Sequence, residues 1–231
     1  MMLHGCKQDP DDFARGTRMN QLADERGFLV LYPAQPARSN AAKCWNWFLP
    51  GDQRRDAGEP AIIAAMVRQV AKQHPVDGDR IYVAGLSAGA AMAAILASEY
   101  ADLFAAAGVH SGLPPGAAED IASAFAVMHT GRLRGPRRPV PARPSRPTIV
   151  FHGDADATVH ARNGEQLVEA ALDALNRCEA NLSWEELAPL LHERLNARQW
   201  IGIAVGVLGV ALIVAPKMGS VEGIPMHALV V

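Results

Sequence analysis

Gly85-Leu86-Ser87-Ala88-Gly89 sets one hydroxyl between two glycines. It follows Arg80-Ile81-Tyr82-Val83-Ala84, which predicts a short buried strand. It precedes an Ala- and Met-rich run, Ala90 to Ala97, which predicts a helix. A serine in a sharp turn between strand and helix can attack a carbonyl carbon. Sterics explain the glycines. Side chains two residues to either side would collide with neighbouring backbone, and glycine tolerates unusual dihedrals. The pattern itself is common, so the flanking strand and helix carry most of the weight.

Two further stretches supply what such a serine needs. Met2-Leu3-His4-Gly5-Cys6 is an apolar strand end running into His-Gly, where one oxyanion-hole amide is expected at or beside Cys6. The second amide is that of Ala88, the residue after the nucleophile. Thr148 to Val159 predicts a strand ending in the polar turn His152-Gly153-Asp154-Ala155-Asp156. That is the place of the acid when the order is Ser, then Asp, then His. Asp156 is favoured over Asp154 by the recurring hydrolase pattern His-Gly-x-x-Asp-x-x-Val. A capping Asp in an ordinary strand-to-helix turn is the alternative. Together the three stretches predict an α/β-hydrolase with catalytic Ser87 and Asp156.

The elements that must position them alternate. A helix is expected from Asp11 to Arg26, capped by Asp11 or Asp12, and a strand from Phe28 to Tyr32. A long loop from Pro33 to Glu59 carries Cys44-Trp45-Asn46-Trp47-Phe48. A helix opens at Pro60 and runs to about His74. Strands follow at Phe104 to His110 and Thr148 to Phe151, then a helix from Gly164 to Asn176. Successive strand–helix units imply a mostly parallel sheet with helices on both faces. His110, at a strand end, reads as a packed or hydrogen-bonded core residue. Trp45 and Trp47 read equally as an apolar wall for a substrate and as anchors of a long loop.

Leu3-His4-Gly5-Cys6, Gly16 to Asn20, Gly27 to Pro33, Lys43 to Phe48, Gly85 to Met92 and Phe151 to Val159 resemble the polyhydroxybutyrate depolymerase family of serine esterases. Feruloyl and acetylxylan esterases are relatives of that family. The resemblance covers roughly residues 1 to 172. It implies an α/β-hydrolase fold, hydrolysis of carboxylic esters or polyesters through an acyl-enzyme, and an extracellular location. It also implies a disulfide between Cys6 and Cys44, against which stand two buried thiols. Cys178 is left over.

The chain departs from the family in two ways. It begins at the end of the Leu-His-Gly strand, so an N-terminal truncation is expected, with no signal peptide and a cytoplasmic or membrane-associated location as written. After Asp156 there is no Gly-His-x-Trp-like segment. The histidines beyond it are His160, His192 and His227. His160 is expected in the acid's own turn. His227 alone is far enough along to serve as base, so impaired activity is expected.

Trp200 to Pro216 carries no charge. As a helix it would span about 25 Å, the short end of a membrane crossing, with a buried apolar helix of a soluble domain as the alternative. Gly202, Gly206 and Gly209 form a small-residue stripe. Residues 192 to 219 resemble the last helix of the drug/metabolite transporter family. The expected division is therefore an α/β-hydrolase domain at 1–175, with an Arg/Pro-rich loop at 132–147. A linker or helical segment at 176–199, a transmembrane-like helix at 200–216 and a tail at 217–231 follow.

With 231 residues and a net charge of −2, the chain carries no general attraction for polyanions. Six Arg in 132–147 are interrupted by five Pro and lack interleaved aromatics, so they read as a solvated loop rather than a nucleic-acid patch. No Cys/His spacing suggests a metal, and the chemistry needs no cofactor. Three functions remain. They are a serine esterase, a catalytically inactive acyl-binding relative, and a membrane-anchored fusion fragment touching a bilayer through 200–216.

Overall fold

The structure, a computed structural model, describes residues 1–133, 146–179 and 228–230, the last three and 174–179 by backbone alone. The chain divides into two units, Met1–Cys178 with Met226–Val231, and Glu179–Pro225. The described elements belong to the first unit, apart from the final residue of one helix.

Five strands lie side by side in chain order: β1 (Met2–Leu3), β2 (Tyr82–Leu86), β3 (Ala106–His110), β4 (Thr148–Phe151) and β5 (Ala228–Val230). The first four are parallel, and β5 runs antiparallel to β4. Leu86 is in register with His110, and His110 with Phe151. Three strands therefore end level, and the residues that follow them share one rim of the sheet.

Burial alternates as pleating requires. Val83, Gly85, Ala107, Val109 and Val150 are buried, while Tyr82 and Phe151, on the other face, are about half exposed. Helix α4 (Ala88–Glu99) covers the buried face and is apolar nearly all round. Such a helix must be enclosed on every side. Helix α3 (Gly58–Gln73) supplies Ile63, Ala64 and Val67 to the same core. Leu167 of α6 (Arg162–Glu179) joins Ala90, Ala94, Val109 and Val150.

Three expectations need correction. The helix expected over 11–26 is two, α1 (Pro10–Thr17) and α2 (Met19–Arg26), broken where Arg18 takes φ 54°. Gly16 and Thr17, poor helix formers, precede the break. The cap of α1 is Asp9, whose carboxylate accepts from Asp12 N at 3.0 Å, with Pro10 in the first helical position. The strand expected at Phe28–Tyr32 does not form. Its Leu31 carbonyl accepts from Met2 N at 2.9 Å, but β1 is too short to offer a ladder. One helix was not expected, α5 (Ile121–Thr130). It opens on a capping box in which Asp120 and Ser123 satisfy each other's amides.

Among the described residues no helix is long and apolar enough to cross a membrane. The run 200–216 and most of the loop 132–147 lie outside the described residues.

Candidate active site

Ser87 follows the last residue of β2 and precedes the first of α4. Its φ of 55° and ψ of −118° lie outside the basins that a side-chain-bearing residue prefers. Such a conformation costs about 1–3 kcal/mol and survives only when its surroundings over-determine it. They do so here. Ser87 N donates to His110 O at 2.9 Å, and Ser87 O accepts from Ala91 N at 3.0 Å. A Cβ on Gly85 would sit 2.3 Å from the Gly89 carbonyl. One on Gly89 would sit 2.2 Å from Leu3 O. The two glycines let β1, β2 and α4 converge beneath the serine.

The His4–Cys6 segment passes beside it. A Cβ on Gly5 would lie 3.7 Å from that of Ser87. The Gly5 amide is engaged by Gln8 Oε1 at 2.8 Å and that of Lys7 by Ala42 O at 2.7 Å. Among the described residues no hydrogen bond engages the Cys6 amide. Ala88, in the first turn of α4, has no intrahelical acceptor for its own amide. Cys6 forms a disulfide with Cys44. Trp45 and Trp47 are 3% and 6% exposed and lie in the main core. The Trp45 indole donates to His4 O at 3.0 Å, and Trp47 packs edge-on to Phe48. Their packing is that of loop anchors rather than of a wall open to a ligand.

Asp156 lies in the turn after β4. Its Oδ1 accepts from Thr158 N and Val159 N, each at 2.9 Å. Partial burial pushes its carboxyl up in pKa. The Val159 and Thr158 amides, the Ser111 side chain and His152 outweigh that, and it titrates below the ordinary carboxylate range. Asp154 is exposed. Ser87 and Asp156 thus stand at the same end of the sheet. Leu86 and Phe151 are two strand spacings apart, about 9.5 Å.

No imidazole meets Ser87 Oγ among the described residues. His4 is buried, accepting from Gln35 N through Nε2 at 3.2 Å and donating from Nδ1 to Gly5 O at 2.8 Å. His152 Nε2 donates to Val159 O at 2.7 Å and stands 3.8 Å from Asp156 Oδ2. His160 accepts from Arg162 N. His110 has an exposed side chain set edge-on to Phe151, not the core position expected of it. Its backbone carbonyl is the part that matters. His192 and His227 lie outside the described residues.

Sequence reasoning missed Ser111, whose side chain helps hold the Asp156 carboxyl low and which sits at φ 49° just after β3. Its position one residue past a strand end was the available signal. Gln35 and Glu59, which brace the Trp45 loop, had none.

A strained serine at the start of a helix, with an acid turn two strands away on one rim, defines the α/β-hydrolase class. Comparison with known proteins agrees. The family described as Esterase PHB depolymerase matches residues 1–180, and the chain belongs to that family. Poly(3-hydroxyalkanoate) depolymerase C of Paucimonas lemoignei is 36% identical over 176 residues, 72% of this chain and 42% of that protein. Feruloyl esterase B of Neurospora crassa is 35% identical over 112 residues, 48% of this chain and 37% of that protein. Among solved structures, the acetyl xylan esterase from Aspergillus awamori aligns with a TM-score of 0.65 at 23% identity. That alignment covers 74% of this chain and 68% of the other. The chain spans less than two thirds of the length of these curated relatives.

Proposed function

We propose that this chain is a carboxylic ester hydrolase working by two-step acyl transfer on esters or polyesters. Ser87 attacks the ester carbonyl, and the alcohol departs from an acyl-enzyme that water then cleaves. The amides of Cys6 and Ala88 hold the developing oxyanion, reinforced by the positive end of α4. Asp156, kept ionised by its turn, orients an imidazole base and stabilises its charged form. The observation that carries this reading is the strained Ser87 turn, over-determined by Gly85, Gly89 and His110 O.

We further propose that the 231-residue chain turns over slowly, because none of the histidines after Asp156 lies in a Gly-His-x-Trp-like segment. His227 is the one to substitute first. Its neighbour Ala228 pairs with Phe151, where β4 leads into the acid turn. One other reading, an inactive protein that binds acyl ligands, rests on the same lack of a Gly-His-x-Trp-like segment after Asp156. Hydrolysis of p-nitrophenyl butyrate by the wild type, Ser87→Ala and His227→Ala separates these. A slow rate lost in Ser87→Ala supports the esterase. A turnover typical of an intact esterase, lost in both variants, would show that His227 is the base and that the activity is unimpaired. A rate equal to that of Ser87→Ala would leave the acyl-binding reading.

The Cys6–Cys44 disulfide supports an extracellular location, since such bridges persist in oxidising compartments. Contact of the run 200–216 with a bilayer is a separate proposal, read by flotation with liposomes.

A further inference from the structure

An oxyanion hole is only as good as the placement of its donors. Ala88 is fixed by α4. Cys6 is not on any regular element, since β1 ends at Leu3. Besides the local bond of Gly5 N to Gln8 Oε1 and the close approach of Gly89, four contacts from one loop hold its segment. Trp45 Nε1 donates to His4 O, Gln35 N donates to His4 Nε2, Lys7 N donates to Ala42 O, and Cys6 is bridged to Cys44. The loop from Gln35 to Asn46 is therefore the splint for the oxyanion strand end. It contains no helix or strand of its own.

What holds the splint converges on one carboxylate. Glu59 accepts from Asn46 N at 2.7 Å, from Asn46 Nδ2 at 2.6 Å, and from Gln35 Nε2. The Gln35 amide also reaches Cys44 O at 3.0 Å, beside the disulfide. Glu59 stands in the first turn of α3, and its own amide donates to Asp52 Oδ1 at 2.7 Å. Gly58 makes that possible. It takes φ 51°, and a Cβ there would lie 2.1 Å from the same Asp52 oxygen. Helix α3 in turn packs into the core that supports α4.

The donors around Glu59 are all neutral, and no ion pair to it forms among the described residues. A half-buried carboxylate without a cation is an expensive way to fasten a loop. Burial pushes its pKa up, and the Asn46 and Gln35 bonds only partly offset that. Its geometric advantage is different. One planar acceptor fixes both ends of a twelve-residue splint, roughly 35 to 46, against a rigid helix.

We propose that Glu59 is the positioning residue of the oxyanion hole. It ties the 35–46 loop to α3, and through that loop it fixes the His4–Cys6 backbone beside Ser87. This rests on the esterase reading for its catalytic consequence, but the mechanical link can be read without it.

The test compares the wild type with Glu59→Gln and Glu59→Leu by hydrogen–deuterium exchange and by p-nitrophenyl butyrate kinetics. Glu59→Gln keeps the shape and removes one acceptor, so it decides the matter if Glu59→Leu does not fold. The peptide covering residues 3–8, reporting the Lys7 amide, is expected to exchange on the order of ten-fold faster, with residues 82–86 unchanged. Ser87-dependent kcat is expected to fall about ten-fold, less than loss of a donor outright, with KM within about three-fold. Unchanged exchange in 3–8 would overturn the proposal. So would faster exchange of β2 in step with 3–8, which would make Glu59 merely structural. If the wild type shows no Ser87-dependent hydrolysis, the esterase reading fails and the exchange result still decides the role of Glu59.

Discussion

Gly89 and Leu3 are so close that a single methyl group would separate them. A Cβ on Gly89 would lie 2.2 Å from Leu3 O and 2.5 Å from His4 O, and both are backbone atoms that cannot swing aside. The first turn of α4 is thereby pressed against the strand end that leads to Cys6.

Gly89→Ala is expected to push β1 away from α4 and cost about 1–3 kcal/mol, a fall of roughly 2–12 °C in Tm. Gly153→Ala, where nothing lies within 4 Å of the added carbon, should be close to neutral. Thermal denaturation of the two variants checks the contrast. Equal midpoints would show that β1 yields freely.

Removing the disulfide by Cys44→Ala should destabilise the chain substantially. The bridge closes a loop with a sequence separation of 38. Chain-entropy reasoning gives about 4 kcal/mol for a loop of that length. Urea unfolding with and without reductant measures it, and Cys44→Ala should no longer respond to reductant.

Stability at acid pH should depend on Asp102. Arg55 donates to both of its oxygens, one at 2.8 Å, and lies over the Tyr100 ring at 4.7 Å. The Arg55 hydrogen bond, opposed by burial, lowers the Asp102 carboxyl to about 2. A carboxyl held low in the folded state stabilises fully above its unfolded value, about 3.9, and that support is lost as pH falls towards 2. Asp102→Asn should flatten the loss of stability in that window. The effect will be modest, because the side chain is about half exposed. Unfolding midpoints at pH 5, 3.5 and 2.5 test this.

Deleting residues 226–231 should expose β4 as an edge strand and promote association, since β5 covers it along Ile149 to Phe151. Light scattering reads the outcome. Truncations meant to remove only the apolar run 200–216 should therefore retain β5.

Legibility in the sequence followed the range of the interactions. Thr148–Phe151 matched its strand to the residue, while the strand expected over Arg80–Ala84 lies two residues further on, at Tyr82–Leu86. These were readable because apolar runs bounded by glycine report burial locally. The positions of Ser87 past β2, of Asp156 in the turn after β4 and of the Gly5–Cys6 backbone beside the serine were readable because a motif fixes their neighbours. Phe28–Tyr32 has strand composition, yet pairing depends on a partner far along the chain, and β1 offers too little edge. The bracing by Gln35 and Glu59 spans 24 residues and uses common polar types, so nothing in the local pattern marks it. The break at Arg18 shows the same thing at short range, where one left-handed residue outweighed a helical period.

The rim of the sheet has a repeated stitch. Ser87 N donates to His110 O at 2.9 Å, and Ser111 N donates to Phe151 O at 2.8 Å. In each case the residue just past one strand hangs from the last carbonyl of the next. The two bonds form a cord running across the strands, from the nucleophile toward the edge closed by β5. Fraying that starts at that edge would slacken Ser111 first, then His110, then Ser87. The serine's strain is thus shared across β2, β3 and β4, and a crack that reaches β4 is passed to the reacting atom along the rim rather than through the core.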